Sequence, residues 1–210
     1  MIFDGQHIEA IIFDLGGVIL NIDYQLPIKA FQKLGLGDFE DRYNQMRQST
    51  LFDDFETGRI PSEKFLEEMA KAVKAGTPVE KIQEAWNAIL LDLPEERLFI
   101  LEKAAENHRT FLLSNTNSIH INAFNNYLLH EHQLPSLEPF FEKVYLSWEI
   151  GMRKPDAEIF EYVIKDAGLD PEKTLFIDDS LQHILTAKEL GFVTHHLKNE
   201  TIIELLEHKI

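Results

Sequence analysis

Cysteine is absent from the chain, and basic residues are scarce: 20 lysines and arginines face 36 aspartates and glutamates. The absence of cysteine excludes disulfides, thiolate metal sites and a cysteine nucleophile. The formal net charge of −16 argues against nucleic acid or an anionic membrane as a partner. An acidic protein that binds an anion needs a local cation, so this charge balance favours a metal ion at any anion-binding site.

Long apolar runs are missing as well. No stretch approaches the roughly 20 apolar residues of a membrane-spanning helix. The first residues include Asp4 and Glu9, where a signal peptide would be basic and apolar. We therefore expect a soluble cytoplasmic protein without a membrane partner, present as a monomer or a homodimer. The length fits one domain with an insertion or two small domains.

A short apolar segment that ends in one carboxylate and two glycines is the most informative part of the sequence. Residues 10–13 predict a buried strand, Asp14 follows it, and Gly16 and Gly17 turn the chain at its end. Open α/β sheets bind ligands at the carboxyl ends of their strands, and a buried charge there is costly unless a cation or a reaction uses it. Taken alone, this motif is explained more simply by a strand-ending aspartate that caps the following turn.

Three later segments carry polar side chains at comparable places. They are Ser114, Asn115, Thr116 and Asn117 after an apolar strand, Arg153 and Lys154 before a helix, and Asp178 and Asp179 at the end of another buried strand. In chain order, this set resembles the four motifs of the haloacid dehalogenase-like (HAD) hydrolase superfamily, and the match spans nearly the whole chain. The residues within these motifs are most similar to those of the bacterial α-D-glucose-1-phosphate phosphatase branch of this superfamily.

The pattern of apolar residues divides the chain into two regions. Residues 22–93 show helical spacing, broken by glycines and prolines, and no convincing buried strand. After Pro94, predicted strands at 111–114, 144–147, 175–178 and 192–196 alternate with predicted helices, which indicates a parallel sheet covered on both faces. These helices are predicted at 95–106, 119–130, 157–167, 181–190 and 201–208. We predict a doubly wound, Rossmann-like α/β core (1–21 and 94–210) with a small helical cap (22–93) inserted after the first strand. The resemblance implies that this cap closes over the active site.

The resemblance implies a catalytic role for three residues. Asp14 would be the nucleophile that forms an aspartyl-phosphate. Ser114 and the backbone N–H of Asn115 would bind the phosphoryl oxygens, although a helix N-cap is an alternative role for this segment. Lys154 would bridge Asp14 and the phosphoryl group. The alternative, a solvated surface residue, is assigned to the neighbouring Arg153, unless Arg153 contacts the substrate.

The resemblance also implies a Mg2+ cofactor. Its ligands would be the Asp14 carboxylate, the Gly16 backbone carbonyl and Asp179, with Asp178 as a direct or water-mediated ligand. Without a cation, the adjacent carboxylates of Asp178 and Asp179 would repel each other at the end of a buried strand.

Candidate substrate contacts are spread over both regions. The core candidates are Asn115, Asn117 and Arg153, and the cap candidates are Asp23, Tyr24, Arg47, Phe52, Asp53, Phe55, Glu56, Gly58 and Arg59. For most of the cap residues, packing in the cap core or a solvated helix face is the simpler interpretation.

Gly16 departs from the family pattern. Most phosphatases of this superfamily have an aspartate there, which protonates the leaving group and then activates water, and such help is worth about 10²–10⁴ in rate. The enzyme would therefore be slow, use another group such as Asp23 or a cap residue, or act on a weakly basic leaving group. The last alternative favours a sugar 1-phosphate over a sugar 6-phosphate.

The sequence thus predicts a magnesium-dependent phosphatase of a small phosphorylated metabolite, most simply a sugar phosphate. One alternative is a catalytically idle module that binds such a metabolite, and its support is Gly16. The other is a haloacid dehalogenase, which attacks carbon without a metal and gives the pair of Asp178 and Asp179 no role. A phosphotransferase of the phosphoglucomutase type is weaker, because it depends on the aspartate that Gly16 replaces.

Overall fold

The computed structural model describes residues 1–36 and 50–210, and its centre is a five-stranded parallel sheet. The strands are β3 (Ala10–Phe13), β4 (Arg109–Ser114), β5 (Lys143–Leu146), β6 (Thr174–Asp178) and β7 (Val193–His196). Their order is β5-β4-β3-β6-β7, so the chain winds outward from β3 first to one side and then to the other. This order confirms the predicted doubly wound α/β fold. A small antiparallel ribbon of β1 (Ile2–Phe3) and β2 (Gln6–His7), which the sequence did not predict, precedes β3.

Helices connect the strands and fill the insertion. In the insertion the described helices are Gln25–Lys33, Leu51–Glu56, Ser62–Ala72 and Val79–Asn87. In the core they are Glu95–Asn107, Ser118–His132, Ser147–Ile150, Ala157–Ala167, Leu181–Glu189 and Ile202–Leu206, with 3-10 turns at Glu138–Phe140 and Pro171–Lys173. No helix in the described part of the chain is long and apolar enough to cross a membrane.

Several boundaries differ by one or two residues from the predicted ones, and for two of them the structure shows the reason. The strand predicted at 144–147 ends one residue earlier, because Ser147 begins a short helix. The helix predicted at 201–208 begins after Thr201, whose side chain accepts a hydrogen bond from the Glu204 N–H while the Glu204 carboxylate accepts one from the Thr201 N–H. This reciprocal capping box fixes the first turn.

The central strand is apolar throughout because helices cover both faces of the sheet. Ile11 and Phe13 pack into one buried cluster, and Ala10 and Ile12 pack into another on the opposite face. Successive side chains of a strand point to opposite faces, so a strand in the middle of two layers has no solvent-facing position. The charge of Asp14 therefore follows directly after four buried side chains.

The inserted helices have a hydrophobic cluster of their own, built around Phe52, Phe55, Phe65 and Trp86. The rings of Phe55 and Phe65 stack with centroids 4.1 Å apart. The core contributes one buried side chain, Ile119, to this cluster.

The two chain passages between the regions run side by side near the predicted boundaries. The N–H of Asn21 donates to the Asp92 carbonyl at 3.0 Å, and the N–H of Asp23 donates to the Ile89 carbonyl at 3.0 Å. The division into two domains at residues 22 and 93 stays a prediction.

Candidate active site

The register of the sheet places Asp14 beside Asp178. Phe13 pairs with Leu112 on one side and with Ile177 on the other. Asp14 and Asp178 each come one residue later, and the Asp14 N–H donates to the Ile177 carbonyl at 3.0 Å. The two carboxylates thus meet at the carboxyl edge of the sheet, where the strand order reverses and doubly wound folds bind their ligands.

Lys154 lies between these two carboxylates and is completely buried. Its Nζ donates to Asp14 Oδ1 at 2.7 Å, to Asp178 Oδ2 at 2.6 Å and to the Leu113 carbonyl at 2.8 Å. Burial alone would lower the pKa of Lys154, but the charges of Asp14 and Asp178 outweigh it and raise that pKa. The lysine is therefore a fixed ammonium group and not a solvated surface residue.

Three carboxylates converge around this single ammonium group. One oxygen each of Asp14, Asp178 and Asp179 lies within 4.8 Å of the others. Burial raises the pKa of Asp14, the charge of Lys154 offsets this only in part, and the pKa is about 7. Burial and the charge of Asp178 also raise the pKa of Asp179. A hard divalent cation would remove this excess of negative charge, and oxygen atoms are the ligands that magnesium prefers.

Asp178 is held more tightly than the other two carboxylates. Its Oδ1 accepts the Ser180 N–H at 2.8 Å, and His183 Nδ1 lies 2.9 Å from the same oxygen. Burial alone would raise the pKa of Asp178, but Lys154 and His183 outweigh it and lower that pKa. Both Asp178 oxygens thus have partners in the protein, which favours the water-mediated alternative for metal binding.

His183 was not singled out by the sequence analysis. It lies in the first turn of the helix Leu181–Glu189, five residues after Asp178, and its ring returns to the end of the preceding strand. In the sequence, only the five-residue spacing between Asp178 and His183 points to this contact, because a histidine in the first turn of a helix can reach an aspartate at the end of the preceding strand. Histidines occur on helices for many reasons, so this spacing is weak evidence without coordinates.

The two glycines after Asp14 have different structural requirements. Gly17 has φ +78°, and a Cβ added there would lie 2.7 Å from Asp179 Cγ, so only glycine fits beside that carboxylate. Gly16 lies outside this left-handed region, and a Cβ there would lie 3.1 Å from the end of the Ile22 side chain. A larger residue at position 16 therefore requires Ile22 to move.

Ser114 ends strand β4 and is buried, one residue beyond the Leu113 carbonyl that accepts from Lys154. The side chain of Asn115 is hydrogen bonded to the main chain of Lys154. Asn117 is the N-cap of the helix Ser118–His132: its Oδ1 accepts the His120 N–H at 3.0 Å. A substrate contact by Asn117 stays a prediction. It would require this buried side chain to give up its hydrogen bond at the N-terminus of the helix.

Arg153 faces the cap. Its guanidinium forms ion pairs with Asp53 and with Glu56, the latter at 3.0 Å, both on the helix Leu51–Glu56. Phe52 and Phe55 of that helix are buried in the cap core. Substrate binding by Arg153 stays a prediction, and in this conformation its charge ties the cap to the segment before Lys154.

Two of the remaining cap candidates have partners within their own part of the chain, and a third is affected by the charges of the site. Asp23 Oδ1 accepts the Gln25 N–H at 2.7 Å, and Arg59 pairs with Asp54 within the cap at 3.0 Å. Desolvation and the negative charges of Asp179 and Asp14 raise the pKa of Tyr24 to about 12, so its hydroxyl is neutral and can donate a hydrogen bond. The charges of Asp179 and Asp14 affect the pKa of Tyr24 although most of its side chain is exposed. Arg47 lies outside the described residues.

Gly58 lies at a close contact between the cap and the core. A Cβ added to Gly58 would overlap the Trp148 carbonyl, so glycine allows the two backbones to approach each other. Trp148 belongs to the short helix Ser147–Ile150, which follows strand β5. Gly58 therefore serves packing between the regions, and this contact gives it no direct chemical role.

Comparison with known proteins identifies the family. The family model described as haloacid dehalogenase-like hydrolase matches residues 8–191. The D-ribitol-5-phosphate phosphatase of Bacteroides thetaiotaomicron is 32% identical over 192 residues, which is 91% of this chain and 93% of the relative.

Solved structures agree. A HAD family enzyme of Bacteroides thetaiotaomicron in complex with magnesium and inorganic phosphate is 35% identical, with a TM-score of 0.84 over 95% of this chain and 99% of that one. A predicted HAD-like family hydrolase of Porphyromonas gingivalis is 32% identical, with a TM-score of 0.83 over 96% and 97% of the two chains. The predicted superfamily is confirmed, and a related enzyme binds the predicted magnesium, whereas none of these relatives is named a glucose-1-phosphate phosphatase. The chain belongs to the haloacid dehalogenase-like hydrolases.

Proposed function

We propose that this protein is a magnesium-dependent phosphatase that hydrolyses a small sugar or sugar-alcohol phosphate through an aspartyl-phosphate on Asp14. The observation that carries the proposal is the position of the Lys154 ammonium group, bonded to both Asp14 and Asp178 beside the third carboxylate of Asp179. This arrangement combines a nucleophile, a fixed positive charge and a cation site in one small space.

Each of these residues has a defined part in the reaction. The Asp14 carboxylate attacks phosphorus, the bond to the leaving oxygen breaks, and water then hydrolyses the acyl phosphate and regenerates Asp14. Lys154 keeps a positive charge beside the attacking oxygen, while the Ser114 hydroxyl and the Asn115 N–H donate to the phosphoryl oxygens. Bound magnesium supplies the charge neutralisation that lets two anions meet, with Asp14, the Gly16 carbonyl and Asp179 as its ligands and Asp178 beside them.

The carboxylate cluster separates this proposal from its enzymatic alternative. A dehalogenase that attacks carbon with Asp14 needs no cation, and the raised pKa of Asp179 shows that this carboxylate is costly to keep charged beside Asp178 without one. In a magnesium-dependent phosphatase, Asp179 would be a metal ligand and the cation would neutralise its charge.

The chemistry of the leaving group bears on the substrate. The relative from Bacteroides thetaiotaomicron is named for D-ribitol 5-phosphate, whose leaving group is a primary alkoxide and benefits strongly from a general acid. Gly16 supplies none, which favours the less basic oxygen of a sugar 1-phosphate. We place a sugar-alcohol 5-phosphate first because of the relative and a sugar 1-phosphate second because of Gly16. Asp23 is the proposed replacement acid in the first case.

One assay separates these alternatives. Phosphate release is measured from D-ribitol 5-phosphate, glucose 1-phosphate and glucose 6-phosphate, with magnesium, with EDTA, and with the Asp14→Asn variant. Release that needs both magnesium and Asp14 supports the phosphatase, and the preferred ester identifies the substrate class. If the protein binds magnesium and phosphate but releases phosphate from no ester, the binding module replaces the phosphatase.

A further inference from the structure

The side chain of Asn115 makes a two-point contact with the main chain of Lys154. Asn115 Nδ2 donates to the Lys154 carbonyl at 2.7 Å, and the Lys154 N–H donates to Asn115 Oδ1 at 2.8 Å. A carboxamide offers one donor and one acceptor side by side, which matches the N–H and C=O of a single residue. Two such bonds fix the orientation of the lysine backbone as well as its position.

The ammonium group at the end of the Lys154 side chain is fixed as well. Its Nζ uses all three donors, on Asp14, Asp178 and the Leu113 carbonyl, and the whole side chain is buried. A lysine side chain has four rotatable carbon–carbon bonds and much rotamer entropy. Its ammonium group stays between the two carboxylates only if the backbone that carries it is held in place as well.

A second contact of the same kind joins the same two segments but does not touch Lys154. The Thr116 N–H donates to Ser147 Oγ at 2.9 Å, and the Ser147 hydroxyl donates to the Thr116 carbonyl at 3.0 Å. Both contacts fasten the loop after β4 to the chain after β5. They differ in what they hold, because only Asn115 binds the residue that carries the ammonium group.

We propose that Asn115 is a positioning residue for Lys154: its side chain fixes the lysine backbone so that Nζ bridges Asp14 and Asp178. The proposal rests on the proposed function, in which Lys154 keeps a positive charge beside the attacking oxygen of Asp14. It gives the side chain of Asn115 a task separate from the substrate contact predicted for its backbone N–H. Removing the carboxamide leaves the nucleophile and the metal ligands in place but releases the lysine.

The first test reads the position of Lys154 directly and needs no turnover. Purified protein is treated with an acetylating reagent, and the modification of each lysine is followed by mass spectrometry. Lys154 is buried and unreactive in the native protein, and Asn115→Ala should raise its modification rate by about tenfold or more. Ser147→Ala, which also loses two hydrogen bonds, should leave Lys154 protected, and the exposed Lys173 is the internal standard. Unchanged protection of Lys154 in Asn115→Ala overturns the proposal.

The second test is a double-mutant cycle with Lys154→Met, read as the affinity for inorganic phosphate in the presence of magnesium and, where there is turnover, as kcat and KM. Asn115→Ala alone should weaken phosphate binding and lower kcat by about 10- to 100-fold, as a misplaced catalytic group does. In the Lys154→Met background, Asn115→Ala should change either quantity less than about twofold. Effects that multiply show that Asn115 acts independently of Lys154 and refute the proposal.

The two tests keep the failure of this proposal apart from the failure of the proposed function. If the wild-type protein hydrolyses no ester, the phosphatase is refuted, whereas acetylation and phosphate binding still report on Asn115. If Lys154→Met does not fold, as judged by circular dichroism, the acetylation rates of Asn115→Ala and Ser147→Ala decide the question.

Discussion

At the scale of single residues, the site is built from groups that cost stability in the metal-free protein. Asp14 is buried beside two other carboxylates and shares one lysine with Asp178. Such clusters persist because the reaction uses them, and their cost is visible as perturbed pKa values. Replacing Asp14 or Asp179, whose pKa values are raised in the fold, should therefore stabilise the metal-free protein, and the loss of Asp14 should abolish activity.

Asp14→Asn should stabilise the metal-free protein in a pH-dependent way. The pKa of Asp14 is raised from 3.8 to about 7 in the folded state, so between these values the folded protein binds a proton that the unfolded chain releases. Wild-type stability therefore falls as the pH rises through this window, whereas the asparagine variant is unaffected at this position. The variant should exceed wild type by about 1–3 kcal/mol above pH 7 and by little near pH 4. Urea unfolding in EDTA measures this difference, and a gap independent of pH would contradict the assigned pKa.

Gly17→Ala should damage the metal site, and Gly16→Ala should be milder. The alanine at position 17 requires φ +78° and places Cβ against the Asp179 carboxylate. We expect a loss of about 1–3 kcal/mol of stability from backbone strain, together with weaker magnesium binding as Asp179 is displaced. At position 16 the added methyl meets only the flexible end of Ile22. Unfolding and magnesium titration of both variants measure the contrast, and equal magnesium affinities would contradict it.

At the scale of elements, one cap helix is joined to the segment that carries Lys154. Arg153 pairs with Asp53 and Glu56 of the helix Leu51–Glu56, and Gly58 lies against the Trp148 carbonyl. Arg153, which contacts the cap, and Lys154, which contacts Asp14, are thus adjacent residues of one loop.

Arg153→Gln should loosen the contact between the cap and the core. Surface ion pairs are worth about 0.2–1 kcal/mol each, so the effect on global stability should be small. Hydrogen exchange in the helix Leu51–Glu56 should accelerate, because this helix loses its charged link to the core. Arg59→Gln removes an ion pair with Asp54 that stays within the cap and is the matched control. Equal exchange in both variants would show that Arg153 does not hold the cap.

The elements also show which features were predictable from sequence. Strand β3 and the helix Ala157–Ala167 have the predicted bounds, because apolar spacing and a closing glycine are local signals. The neighbouring positions of Asp14 and Asp178 follow from the order of a doubly wound sheet.

Contacts between distant segments were not predictable in the same way. Asn115 and Lys154 are 39 residues apart, and Arg153 and Asp53 are 100 apart. No periodic pattern links such residues. Each contact depends on how a loop closes after its strand, and this becomes visible only when the strands are assembled.

At the scale of the whole molecule, an acidic protein has to attract an acidic substrate. The net charge of −16 repels phosphate esters at long range, so we expect binding to depend on Lys154 and on a bound cation within the site. Magnesium should accordingly support both substrate binding and the stability of the fold.

Magnesium should raise the thermal midpoint of the wild-type protein in a saturable manner. A ligand at 100 times its Kd stabilises the folded state by about 2.7 kcal/mol. Asp179→Asn removes one of the proposed ligands and should abolish most of this shift at the same concentration. Calorimetry with magnesium, and with sodium chloride at equal ionic strength, separates binding from screening. An unchanged shift in Asp179→Asn would remove that residue from the metal site.

In the proposed mechanism Asp14 becomes phosphorylated, and rapid acid quenching detects this phosphoenzyme. Nitrophenyl phosphate has a leaving group that needs little protonation, so the missing acid at Gly16 should slow breakdown of the acyl phosphate more than its formation. Labelled phosphate should be bound to the protein within the first turnover. It should be released by hydroxylamine, map to the peptide that contains Asp14, and be absent from Asp14→Asn. Turnover without protein-bound phosphate, or with phosphate on another residue, would show that Asp14 is not the nucleophile.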